Sequence, residues 1–138
     1  MVIKVGSLNT LMFDHGIYVY VGSAQNSLEK RIARHFRKKK KKFWHIDYLL
    51  ENENVKIITV LYKIAPRREE CRIAKEINNI GSPIKGFGSS DCKCKSHLFK
   101  LNNYEELKKF IKENMFLNFP YSEVQPEKIE EKEIKNES

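Results

Sequence analysis

The chain has 138 residues, 41% of them hydrophobic and 32% charged, with a formal net charge of +8. That is the size of one domain with a modest core, and no apolar run approaches the roughly 20 residues that span a bilayer. A start without the basic-then-apolar pattern of a signal peptide points to a cytoplasmic protein, and three cysteines in that reducing compartment argue against a disulfide framework.

The charge is uneven. Residues 122–138 hold six glutamates and three lysines, a local −3, so residues 1–121 carry +11. The tail is poor in apolar residues and reads as a disordered extension of a single domain over 1–121. A basic body suits a polyanionic partner, nucleic acid before an anionic membrane surface. A lysine-rich solvated surface would show the same excess.

Val2-Ile3-Lys4-Val5 is a β-branched run stopped by Gly6-Ser7, which reads as a strand. Ser7 to His15 is a connection that closes on the turn residues Asp14-His15-Gly16. Ile17 to Val21 is a second strand. Side chains alternate, so Tyr18 and Tyr20 share one face and Ile17, Val19 and Val21 the other, with neighbours on a face about 6.6 Å apart.

Asn26 is placed to cap a helix, with Glu29 completing a capping box. Leu28, Ile32 and Phe36 recur every four residues as its apolar stripe. Arg31 and His35 lie on the edge of that stripe and, being four apart, are neighbours. Lys30, Arg34 and Arg37 fall on the solvent side. Lys38, Lys39, Lys40, Lys41 and Lys42 follow without a break, and between Lys30 and Lys42 nine residues are cationic and none acidic. Such a block reads equally as a phosphate-backbone contact or as a mobile, self-repelling loop.

Phe43 to Leu50 reads as a short helix, with Trp44 as a core aromatic. Val55 to Lys63 reads as a buried strand. Pro66 opens a helix over about 67–80, closed by Gly81, with Ile73, Ile77 and Ile80 as its core face. Glu70 projects near the middle of that face, where a carboxylate is costly unless paired or bound to metal. Ser82 to Ser96 is a Gly/Ser-rich loop, His97 to Leu101 a fourth strand, and Tyr104 to Phe116 an amphipathic helix through Leu107, Phe110, Ile111 and Met115.

Val19-Tyr20-Val21-Gly22-Ser23-Ala24, then Leu28-Glu29-Lys30-Arg31 and Arg34-His35-Phe36, resemble the second strand and first helix of GIY-YIG endonucleases. That family includes phage homing endonucleases, some restriction enzymes and the incision nuclease of bacterial excision repair. The resemblance covers roughly residues 17–80. His45-Ile46-Asp47-Tyr48-Leu49, Glu70-Cys71 and Gly86-Phe87-Gly88-Ser89-Ser90-Asp91-Cys92-Lys93-Cys94 resemble a small prokaryotic branch, whose members occur alone or beside DNA glycosylase domains. The resemblance implies an α+β fold with a small three-stranded antiparallel sheet, open to a fourth strand, flanked by helices. It also implies phosphodiester hydrolysis in DNA with one Mg²⁺ or Mn²⁺, in a repair setting where a DNA glycosylase is a partner.

Carried over by position, Tyr20 matches the tyrosine of the second motif. Arg31 matches the catalytic arginine, His35 the histidine one turn on, His45 the later histidine and Glu70 the metal-binding glutamate. The chemistry is coherent: a phenolate or imidazole can serve as base, Arg31 can grip phosphate with two donors, and Mg²⁺ held by one carboxylate keeps water and substrate as its other ligands. The literal Gly16-Ile17-Tyr18 abuts the second motif on one strand, whereas the family carries its first motif on a separate upstream strand. Tyr18 standing in, a start too late in the gene, and loss of the first catalytic tyrosine are the readings left open.

Cys92, Cys94 and His97 could offer three soft ligands to Zn²⁺, with Cys71 or Asp91 as a fourth, although a packed Ser/Cys turn is the preferred reading. The sequence therefore supports a metal-dependent endonuclease first and a non-catalytic nucleic-acid-binding module on the same fold second. A polybasic membrane-surface or protein-interaction domain comes third.

Overall fold

The computed structural model describes residues 1–24, 27–89 and 94–118. The tail beyond Ser122 and the proposed cap at Asn26 lie outside the described residues. The strands are β1 (Val2–Lys4), β2 (Thr10–Met12), β3 (Tyr18–Tyr20), β4 (Leu61–Tyr62), β5 (Gly81–Pro83), β6 (Leu98–Leu101) and β7 (Leu117–Asn118). The helices are α1 (Leu28–Phe36), α2 (His45–Leu50), α3 (Glu69–Ile77) and α4 (Tyr104–Glu113). The fold is α+β, built on a three-stranded antiparallel sheet ordered β3-β6-β5, with two-stranded ribbons β1-β2 and β4-β7.

The alternation in β3 decides what each face meets. Tyr18 and Tyr20 face a core made by Ile3, Val5 and Phe13 of the β1-β2 region, Ile46, Leu49 and Leu50 of α2, and Phe87 and Leu98. Val19 and Val21 face Ile73, Ala74 and Ile77 of α3, Phe99, and Phe110 of α4. A period of two thus divides one strand between two cores. The pairing reaches past the strand ends, with the Val21 amide donating to His97 O (2.9 Å) and the Leu101 amide to Ile17 O (2.9 Å).

Several expectations shift. The connection from Ser7 to His15 contains β2, which pairs with β1 from Val2↔Met12 to Lys4↔Thr10. The expected buried strand at 55–63 is reduced to β4, paired with β7, and Ile58 is 69% exposed. The central strand β6 is paired by β3 and β5, and residues 55–60 join neither outer edge of that sheet. Helix α3 ends at Ile77 rather than Ile80. Gly81 is not its terminator but the first residue of β5. A Cβ there would stand 2.9 Å from Lys100 O, so glycine permits the two backbones to approach. Helix α1 buries Ile32 and Ala33 while Leu28 is exposed, a narrower stripe than Leu28, Ile32 and Phe36 implied. Met115 is likewise exposed beyond the end of α4.

Candidate active site

Helix α1 begins one residue after Ser27, whose hydroxyl accepts the Lys30 amide at 3.2 Å. The boundary face of the helix carries Arg31 and His35 against the tyrosine face of β3. The Arg31 guanidinium acts on both Tyr20 and Glu70, favouring their anionic forms, and its Cζ stands 4.2 Å from the Trp44 ring centroid. The His35 ring meets Tyr20 edge-on at 6.2 Å and Trp44 at 6.2 Å. Glu70, in the first turn of α3, comes from the far side. Its Oε2 accepts from Ser23 Oγ at 3.4 Å, and its Oε1 lies 3.5 Å from His97 Nδ1. Tyr20, Arg31, His35 and Glu70 are therefore one cluster, drawn from a strand and two helices, with Ser23 added by the turn after β3.

Burial sets the ionisation states. It pushes the Tyr20 phenol up to about 12, with Glu70 and Asp47 acting in the same direction and Arg31 opposing. Tyr20 is a neutral donor at neutral pH. Burial, Arg31 and Lys40 hold His35 down at about 4, so its imidazole is neutral. His35 Nδ1 is buried, with no hydrogen-bond partner among the described residues. A hydrogen bond from His97 holds the Glu70 carboxyl below its usual range, against the effect of burial, and Arg31 and Ser23 assist. Glu70 is thus anionic, though its side chain keeps only 20% exposure.

His45 opens α2, and its Nδ1 accepts the Gly88 amide at 2.8 Å. That bond places the proton of the neutral ring on Nε2. Phe87 links this residue to the cluster, with its ring 5.6 Å from His45 and 6.4 Å from Tyr20. Gly88 has φ +69°, and a Cβ there would meet His97 Cβ at 3.2 Å and Tyr20 Cε1 at 3.4 Å. The Gly-Phe-Gly turn is what lets a backbone amide reach His45 between those two side chains.

Arg34 is not a solvent-side phosphate contact. Its guanidinium forks onto Asp47, Nη1 to Oδ1 at 2.6 Å and Nη2 to Oδ2 at 2.7 Å, and is 15% exposed. Asp47 is fully buried and also accepts the Phe43 and Trp44 amides at 2.9 Å each, which caps α2. Burial would raise its pKa, yet these bonds outweigh it and hold the carboxyl below its ordinary value. Arg34 Cζ also lies 4.3 Å from the Trp44 ring centroid. Trp44 is accordingly no core aromatic: it is 37% exposed and held by two arginines, beside the exposed Phe43. In the sequence Asp47 carries no role of its own and Trp44 reads as a core aromatic, because neither belongs to a periodic pattern; only the spacing Trp44-x-x-Asp47 hints at a helix start.

The lysine run also divides. Lys38 Nζ donates to the carbonyls of Leu50, Asn52 and Val55. Lys40 is buried, donates to Arg34 O (2.8 Å) and His35 O (3.2 Å) at the end of α1, and is lowered by burial to about 8. These two lysines are structural staples of the loop, at a helix C-terminus that favours a cation. Lys42 pairs with Glu51 at 3.0 Å. Lys30, Lys39 and Lys41 are exposed, and Arg37 is half-buried.

Tyr18 donates its hydroxyl to Asp14 O at 2.9 Å and packs edge-on against Phe13. Its phenol is raised by burial and by Asp14, and the structure does not place it with Arg31 and Glu70. His97 and Cys94 lie together, joined by Cys71 from α3, with one ligand atom from each within 4.8 Å of the others. Cys92 and Asp91 lie outside the described residues. Among the described residues no helix is long and apolar enough to cross a membrane.

A family model described as "Domain of unknown function DUF123" matches residues 1–118. No curated protein and no solved structure matches the chain.

Proposed function

The chain belongs to the DUF123 family, and from that premise we propose that it is a divalent-metal-dependent endonuclease of GIY-YIG type that hydrolyses phosphodiester bonds in DNA. One observation carries the reading: Arg31 stands among Tyr20, His35 and Glu70, the residues that the resemblance assigns to one site. Damaged DNA handed on by a DNA glycosylase is the substrate setting that the resemblance implies.

Glu70 suits a hard cation such as Mg²⁺ or Mn²⁺. It is anionic, and among the described residues its two oxygens make long contacts, at 3.4 and 3.5 Å. With Ser23 Oγ beside it, the remaining ligands would be water and substrate oxygens, as Mg²⁺ prefers. Such an ion supplies Lewis acidity at a phosphoryl oxygen.

The protein groups divide the other work. Arg31 donates to a non-bridging phosphate oxygen, where charge accumulates. The attacking water loses its proton to the neutral His35 imidazole as its oxygen bonds to phosphorus; His35 Nδ1 is closed to solvent in the free chain, so this step requires DNA binding to open the cluster to that water. The ester P–O bond breaks, and Tyr20 Oη gives its proton to the leaving oxygen, while the positive charge of Arg31 steadies the phenolate that remains. Proton exchange with solvent restores both residues. His45, protonated on Nε2, is a donor for a second phosphate oxygen. Lys30, Lys39 and Lys41 supply exposed charge for the backbone.

A second reading, a nucleic-acid-binding module without catalysis, draws on Tyr18. Its hydroxyl is committed to Asp14, so one tyrosine rather than two serves the cluster. Nicking of supercoiled plasmid separates the readings. Cleavage that needs Mg²⁺ or Mn²⁺ and disappears in both Arg31→Ala and Glu70→Gln supports the nuclease. Equal cleavage by wild type and both variants contradicts it, and DNA binding by an uncleaving wild type favours the module.

A further inference from the structure

We propose that Cys71, Cys94 and His97 form a soft-metal site that binds one Zn²⁺, separate from the hard-cation position at Glu70. Cys71 is the third residue of α3, and Cys94 and His97 lead into the central strand β6. One ligand atom from each lies within 4.8 Å of the other two. Two zinc–sulfur bonds of about 2.3 Å at a tetrahedral angle put sulfurs roughly 3.8 Å apart. The cluster thus needs to contract by about 1 Å, within the range of small χ1 adjustments.

The frame around these atoms is already fixed. The His97 amide donates to Phe87 O at 2.7 Å, and His97 O accepts from the Val21 amide at 2.9 Å. Ser96 is buried, accepts the Leu98 amide at 2.9 Å, and donates to Leu98 O at 2.8 Å. The His97 ring is buried with Nδ1 3.3 Å from Val21 O and 3.5 Å from Glu70 Oε1. Metal-bound histidines carry such a carboxylate or carbonyl on the second ring nitrogen, which fixes the tautomer and turns the other nitrogen to the ion. With Nδ1 directed at Val21 and Glu70, His97 would bind through Nε2. Cys94 and Ser96 also line a cleft of about 290 Å³ between α3 and the start of β6, by which an ion can arrive.

The donor set selects the ion. Two thiolates and an imidazole suit Zn²⁺, whereas Mg²⁺ takes oxygen ligands. Three protein ligands leave the fourth position to water. On binding, the two thiols lose their protons to solvent and each sulfur lone pair forms a bond to the ion; no oxidation is involved. The ion would tie the start of α3 to the start of β6 through the residue adjacent to Glu70.

The test is independent of any nuclease activity. The reduced, full-length chain is titrated with Co²⁺ and then Zn²⁺, without DNA. One Co²⁺ per chain, with a thiolate-to-cobalt charge-transfer band and the visible bands of tetrahedral cobalt, all bleached by Zn²⁺, is the expected result. Cys71→Ser and Cys94→Ser should each lose the charge-transfer intensity while retaining the wild-type far-ultraviolet circular dichroism. On wild type, Zn²⁺ should protect Cys71 and Cys94 from alkylation, as mapped by mass spectrometry. Cobalt bands unchanged in Cys71→Ser, or alkylation of both thiols at the same rate with and without Zn²⁺, would overturn the assignment. So would a Cys71–Cys94 disulfide in freshly purified protein that, once reduced, gives no cobalt spectrum.

Discussion

Replacing Asp47 with Asn should be far more damaging than its near-identical shape suggests. Asp47 is fully buried and accepts four hydrogen bonds, two from Arg34 and one each from the Phe43 and Trp44 amides. The amide group of Asn can accept at only one of the two oxygen positions, and its NH₂ faces a donor. The Arg34 guanidinium, 15% exposed, loses its counter-charge. Breaking a buried pair by removing one partner costs roughly 3–5 kcal/mol, against a total stability of about 5–15 kcal/mol for a domain. At roughly 3–5 °C per kcal/mol for a chain of this size, the midpoint should fall by about 10–20 °C. Thermal melts followed by circular dichroism at pH 7 measure it. If the penalty lies in the orphaned cation, Asp47→Leu combined with Arg34→Met should melt well above Asp47→Leu alone. A shift of less than about 1 kcal/mol for Asp47→Asn, or a double variant no more stable than the single, would refute the view that this pair organises α1 and α2.

Other consequences are equally open to measurement. His35 is held at about 4 in the folded chain against an ordinary 6.5, so protonation favours the unfolded state. Its stabilising effect is complete above pH 6.5 and is lost as pH falls toward 4, by an order of 3 kcal/mol; chemical denaturation of wild type and His35→Gln across that window should converge at low pH. With His35 as base and Tyr20 as a protonated donor, the nicking rate should be flat from about pH 6 to 9. A phenolate base would instead raise the rate roughly tenfold per pH unit. Lys39→Gln with Lys41→Gln should weaken DNA binding at all sequences and reduce the salt slope by about 2, with the melting midpoint unchanged. Lys40→Gln should cost roughly 1–3 kcal/mol of stability, because its two carbonyl partners are left unsatisfied, and should barely move the salt slope.

What could be read from the sequence follows the reach of each pattern. The strand at Tyr18–Tyr20 and its two faces came from strict alternation, and Arg31 and His35 from helical spacing; both are local rules. Glu70 stood out because a carboxylate on an apolar face needs a partner, and it has His97, Ser23 and Arg31. The failures involve long-range pairing. The segment 55–63 has strand composition but pairs only through Leu61 and Tyr62, with β7 from far along the chain. Gly81 has the chemistry of a helix stop, yet it serves the close approach of β5 to β6. The lysine run looks uniform in sequence, but which of its members turn inward depends on carbonyls supplied by α1 and by residues 50–55. Arg34 was misplaced for the same reason, since its partner Asp47 lies on another helix.

The central claim is that Arg31 acts on a scissile phosphate within the Tyr20–His35–Glu70 cluster. Single-turnover cleavage of end-labelled DNA by wild type and Arg31→Ala, with binding measured on the same substrate in Ca²⁺, tests it most directly. The account predicts a rate loss of roughly 10²–10³-fold or more with affinity reduced only modestly, because the exposed lysines remain. Cleavage by Arg31→Ala at the wild-type rate, or a loss confined to affinity, would contradict it.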